Sequence, residues 1–147
     1  LAATRAAKEE GIVPGGGITL MHCAEVIKNY TSSDPDEVLG AKIVLNASSA
    51  PLQLIAENAG TDGAVIVYKL EKEKFGIGFN AASLEVTNMM DAGIIDPAKV
   101  VRCALQNAVS IASLVITTET LVADEKEDKA SAAPAMNPGM GGMGGMY

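Results

Sequence analysis

From Asp96 to Thr117 the chain presents Asp-Pro and then twenty residues carrying only two charges, Lys99 and Arg102. Asp96-Pro97 reads as a helix start, with an acceptor side chain at the cap and a ring that fixes φ in the first turn. Lys99, Arg102, Gln106, Ser110, Ser113 and Thr117 follow at spacings of 3, 4, 4, 3 and 4. They therefore share one narrow stripe of a helix, and apart from Asn107 the remainder is apolar. At ~1.5 Å per residue the helix spans about 30 Å, the width of a domain. It is expected to be nearly all buried. Hydrophobic residues make up 48% of the 147, aromatics only 3%, and Trp is absent. A core built from Ala, Val, Ile and Leu favours closely packed helices over an aromatic-rich β-sandwich.

Glycine and proline divide the rest of the chain. Leu1 to Glu10 is a run of helix formers stopped by Gly11. It carries neither a capping residue nor an initiator Met, which predicts a helix cut in its middle and a chain that is a fragment. Pro14 and Gly15-Gly16-Gly17 make a permissive loop, and Ile18 to Tyr30 has helical spacing. Asp34-Pro35-Asp36-Glu37 sets a cap, a proline at the first helical position and an acid in the first turn, predicting a helix to about Ser48. Pro51 opens another, from Leu52 to Asn58, closed by Gly60. Ala64 to Glu71 suits strand or helix, and its length and flanks favour helix. Phe75 to Phe79 reads as extended, Glu85 to Asp91 as a short helical turn, and Thr120 to Ala123 as a short strand at a sheet edge or paired with another chain. The fold class expected is mainly α with a few short strands, over residues 1–124. Residues 125–147 turn charged, then small, then Gly-Met repetitive, with Met136, Met140, Met143 and Met146, and are expected to be a disordered tail.

Net charge is -7 and the pI about 4.6, which argues against nucleic acid as a partner. No apolar run is expected to approach the ~20 residues of a membrane span, and no signal peptide is visible. Cys23 and Cys103 sit in apolar helical stretches and read as buried free thiols of a reducing cytoplasm. His22, without ligand-type neighbours, reads as a packing or surface residue rather than a metal ligand.

Three features bear on function. Gly15-Gly16-Gly17 at a helix start offers backbone N–H groups to an anion and close approach to a ligand. It matches neither the P-loop nor the Rossmann spacing, so taken alone it reads first as a structural turn. Asn80-Ala81-Ala82 offers an amide that donates to and accepts from a purine edge, beside small side chains that leave room for a base, and it too reads locally as a turn. Asp96 reads as a helix cap with an oxygen left for ribose hydroxyls. The residues show no Ser–His–Asp set, metal cluster or paired-carboxylate motif.

The ordered string ATRAAKEEGIVPGGG, APLQLIAENAG, GFNAAS, GIIDPAKVVRCALQNA, ITTE and the GGM tail resembles the C-terminal part of the group I chaperonins, the GroEL/Hsp60 family. The resemblance covers essentially the whole chain and implies the C-terminal half of a helical equatorial domain. It implies nucleotide contacts at Gly16, Asn80, Ala81, Ala82 and Asp96. It further implies an adenine pocket lined by Gly15, Phe79 and Ile94, with Phe79 standing where Tyr is common. ATP or ADP is the implied cofactor, its Mg²⁺ held by residues outside this chain. No catalytic residue is implied within the chain. The intact subunit would be an ATPase that refolds non-native proteins. Its implied partners are identical subunits in a double ring of fourteen, a GroES/Hsp10-type co-chaperonin and client proteins. The implied location is a bacterial-type cytoplasm rather than a mitochondrial matrix. A stand-alone enzyme using the glycine loop for phosphate would need a catalytic group that the residues do not offer. A ligand-free helical module would explain composition but not the ordered motifs.

Overall fold

The computed structural model describes residues 1–124, and the predicted tail lies outside them. The chain divides after Thr117. The first unit contains helices α1 (Ala2–Glu10), α2 (Ile18–Cys23), α3 (Glu25–Lys28), α4 (Pro35–Ala47), α5 (Ala50–Asn58), α6 (Gly63–Leu70) and α7 (Ala98–Thr117). Four short strands, β1 (Ile12–Pro14), β2 (Ile77–Asn80), β3 (Glu85–Asn88) and β4 (Ile95–Pro97), form two antiparallel pairs, β1 with β4 and β2 with β3. The fold is mainly α, as the composition predicts.

Local signals set most helix ends. Gly11 stops α1 at φ 84, a backbone conformation that favours glycine. Asp34 caps α4 by accepting from the Asp36 amide at 2.9 Å, with Pro35 in the first turn. Asp62 caps α6 by accepting from the Val65 amide at 3.1 Å, which decides the ambiguous 64–71 segment for helix. Leu52 and Ala56 of α5, Ile66 and Leu70 of α6, Ile18 and Met21 of α2, Phe79 of β2 and Met89 form the core.

Several expectations are corrected. The single helix predicted over 18–30 is two, because the chain tightens at buried Ala24, where Ile27 N–H bonds the Ala24 carbonyl three residues back. Glu85 to Asn88 is a strand rather than a helical turn. Pairing Ile77 to Asn80 with Asn88 to Glu85 satisfies backbone groups that β2 would otherwise leave open. Ile12 to Pro14 is a strand for the same reason, with Val13 opposite Asp96. Asp96 therefore lies in β4 and α7 begins at Ala98, so the expected cap at Asp96 is not formed. Cys103 is half-buried and Cys23 exposed, both free thiols but neither buried.

The largest correction concerns α7. It has no buried residue; Ile111 is 61% exposed and Ile116 81%. Its first turns rest on α1. There Lys99 pairs with Glu9, and Arg102 grips Glu10 through two bonds of 2.6 and 3.0 Å. Further along, Ala104, Leu105, Ala108 and Val109 face Ile43, Val44 and Ala47 of α4 across an apolar groove of about 300 Å³. Beyond the groove, Leu114, Val115 and Ile116 are exposed. Length and composition alone would also let Ala98–Thr117 (mean hydropathy 1.5) and Pro35–Asn58 (1.3) cross a membrane, contrary to the expectation of no such run. Helices awaiting a protein neighbour pass the same test, and Pro35–Asn58 is in fact two helices meeting at Ser48-Ser49. In the second unit, residues 118–124 form no strand within the chain, so of the two placements predicted for Thr120 to Ala123 the one at a sheet edge of this chain is absent. A lone strand has no ladder to join.

Candidate functional site

Both strand pairs lead to one place. β1 ends at Pro14 and delivers Gly15-Gly16-Gly17; β2 ends at Asn80 and delivers Ala81 and Ala82; the stretch before β4 delivers Ile94. Each glycine is required by a different neighbour. Gly15 is buried, its amide donates to the Ile94 carbonyl at 2.9 Å, and a Cβ there would lie 3.1 Å from that oxygen. Gly16 has φ 71, and Gly17 has φ 80 with a built Cβ only 2.7 Å from the Leu52 nitrogen. Buried Thr19 ties the loop down by donating its hydroxyl to the Pro14 carbonyl at 2.6 Å. The helix following the loop has only six residues. The N-terminal field expected of a helix reaching Tyr30 is correspondingly reduced.

Asn80 shapes the hairpin loop. Its Oδ1 accepts from the Ala82 amide at 3.0 Å and the Ser83 amide at 3.4 Å. The loop closes with the Leu84 amide on the Asn80 carbonyl at 2.8 Å, and Leu84 takes a left-handed φ of 61. The expectation that the Asn80 amide both donates and accepts outward is corrected. The acceptor half is engaged, and only the NH₂ half has no protein partner among the described residues.

Gly16, Ile55, Phe79, Asn80, Ala81, Ala82, Ala92 and Ile94 line an open depression of about 410 Å³. Six of these were singled out from the sequence: Gly16, Phe79, Asn80, Ala81, Ala82 and Ile94. Phe79 is 2% exposed, so it belongs chiefly to the core beneath. Gly15 stands behind Ile94 and does not line the depression. Asp96 does not line it either. It is half-buried on β4, without a side-chain hydrogen bond or ion pair among the described residues. Asp96 lies two residues beyond Ile94 in the chain. Ile55 and Ala92 were missed. Ile55 follows Leu52 at ordinary helical core spacing, and nothing local distinguishes it.

A second hollow of about 200 Å³, lined by His22, Glu25, Lys28 and Glu71 among others, lies elsewhere. There His22 Nε2 meets the Leu70 carbonyl at 3.4 Å and its ring tilts against Phe75 at 5.8 Å. His22 is thus a packing residue, one of the two roles its sequence context allowed.

The arrangement defines a helical protein with a small, mostly apolar depression floored by glycine and alanine, rimmed by one amide donor. Residues 1–126 match the TCP-1/cpn60 chaperonin family, and the chain belongs to that family.

Proposed function

We propose that this chain supplies the adenosine side of the nucleotide site in an ATP-driven, ring-forming chaperone subunit. The observation that carries the reading is the convergence of Gly16, Asn80 to Ala82 and Ile94 on one depression. Ile55, Ala92 and Ile94 offer apolar surface to the faces of a base. The Asn80 NH₂ offers a donor to a ring nitrogen, and Ala81 and Ala82 leave space. Asp96, two residues beyond Ile94, offers its carboxylate to ribose hydroxyls. Gly16 admits the ligand's close approach because it has no side chain.

ATP, when bound, supplies the phosphoryl group whose transfer to water drives the cycle. That transfer depends on positioning and charge stabilisation at the phosphates. On this reading the phosphate cradle, Mg²⁺ ligands and water-activating group lie on residues outside these 147. The complete subunit then assembles with its copies into a double ring of fourteen. It works with a GroES/Hsp10-type partner in a cytoplasmic setting and encloses non-native protein as ATP shifts the ring between states.

The test is ATP turnover and ADP binding by the 147-residue chain, alone and with an added N-terminal equatorial segment. Alone, the chain shows no turnover and at most weak ADP binding; with the segment, turnover appears and falls on Asp96→Ala. Robust turnover by the chain alone overturns the reading, as does ADP that perturbs amides away from Gly16, Ala82 and Ile94.

A further inference from the structure

We infer that Met89 is the positioning residue of the depression: its thioether side chain holds the triple-glycine loop, strand β2 and Ile94 in one register. Met89 is fully buried and is not among the residues lining the depression. Its side chain occupies the space that two glycines leave. A Cβ built on Gly16 would lie 2.8 Å from Met89 Cε; one built on Gly78 would lie 2.7 Å from its Cγ and 2.9 Å from its sulfur. Gly78 has no positive φ, so what requires glycine there is this approach and not backbone conformation. The main chain of Met89 makes matching connections. Its amide donates to the Gly76 carbonyl at 2.9 Å, and its carbonyl accepts from the Ile94 amide at 2.8 Å. Gly16, Ile94 and, through Gly78, the strand ending at Asn80 are therefore all seated against one residue.

The chemistry of methionine suits this seat. An unbranched, flexible thioether threads between two backbones that lack side chains. Leucine has similar bulk but branches at Cγ, the atom pressed against Gly78. Its second branch at that atom is expected to displace β2 or the glycine loop, though the total volume is kept. The consequence for ligand affinity rests on the nucleotide reading above; the positioning itself does not.

The experiment compares amide ¹H–¹⁵N spectra of the full chain with those of Met89→Leu and of Ile66→Val, a core change on α6 that does not line the depression. Met89→Leu is expected to displace the amides of Gly16, Gly78, Ala82 and Ile94, and Ile66→Val to leave them in place. With the N-terminal equatorial segment added, ADP affinity is expected to fall roughly ten-fold in Met89→Leu and not in Ile66→Val. Unmoved amides in Met89→Leu, or equal movement in both variants, overturn the inference. Moved amides in Met89→Leu, with no ADP bound by the wild-type chain even when the N-terminal equatorial segment is added, uphold the positioning and sink the nucleotide reading. If Met89→Leu does not fold, the wild-type chain still decides. A nuclear Overhauser contact from the Met89 ε-methyl to the Gly16 α-protons is expected, and its absence overturns the proposal.

Discussion

At the residue scale, glycines of one chain behave oppositely because of what surrounds them. Gly17 combines φ 80 with a built Cβ 2.7 Å from the Leu52 nitrogen, whereas a Cβ on Gly40, inside α4, meets nothing within 4 Å. Gly17→Ala should therefore cost about 2–4 kcal/mol, from left-handed strain plus a backbone clash. Gly40→Ala should stabilise by about 0.5–1 kcal/mol, since alanine restricts the unfolded chain and fits the helix. Urea unfolding of the two variants reads both signs. A destabilised Gly40→Ala would show that α4 is not helical there. The triple glycine was legible as a permissive loop. The identities of its three neighbours (Ile94, Met89 and Leu52) were not, because each lies at least 35 residues away in sequence.

At the element scale, caps and ion pairs carry the argument. Asp34 satisfies an otherwise open amide of α4, so Asp34→Ala should cost about 1 kcal/mol, while Asp34→Ser should cost much less. Circular dichroism during denaturation distinguishes the two. The α1–α7 contact gives a pH dependence. Hydrogen bonds from Arg102, then its charge and that of Lys99, hold the Glu10 carboxyl below its ordinary 4.5. A depressed acid contributes stability that is complete above 4.5 and is lost as pH falls through its folded value. The melting temperature should accordingly drop on acidification below 4.5, and Glu10→Gln should flatten the Glu10 part of that drop. An unchanged acid limb in the variant would show that the pair is too well solvated to matter. Helices α1, α4, α5 and α6 were legible because their ends carry capping or stop residues. The β2–β3 hairpin was half legible: Phe75 to Phe79 read as extended, but nothing local told Glu85 to Asn88 to pair with it.

At the scale of the whole molecule, apolar surface is unevenly used. The core gathers on α2, α5, α6 and β2, while α7 leaves Leu114, Val115 and Ile116 59%, 63% and 81% exposed. Exposed apolar surface of that extent at one helix end marks an interaction surface or an association hazard. The 147-residue chain should bind a hydrophobic dye and associate as its concentration rises. Leu114→Lys with Ile116→Lys should weaken both without lowering the melting temperature. Sedimentation measures the association. A monomer at all concentrations, with no dye bound, would mean that something in the chain covers α7.

The sequence by itself determined the helical class and most helix ends, and its family resemblance singled out six residues that line the depression. Capping, stop and turn chemistry acts within a few residues, and the ordered motifs carry the site. Burial and pairing were left to the tertiary structure. The narrow polar stripe of α7 says that the helix needs neighbours, but only the fold shows that this chain supplies few of them. Likewise Asn80 to Ala82 and Gly16 are each weak alone. They become one site because two antiparallel strand pairs bring distant backbone together, with Met89 seated between two glycines.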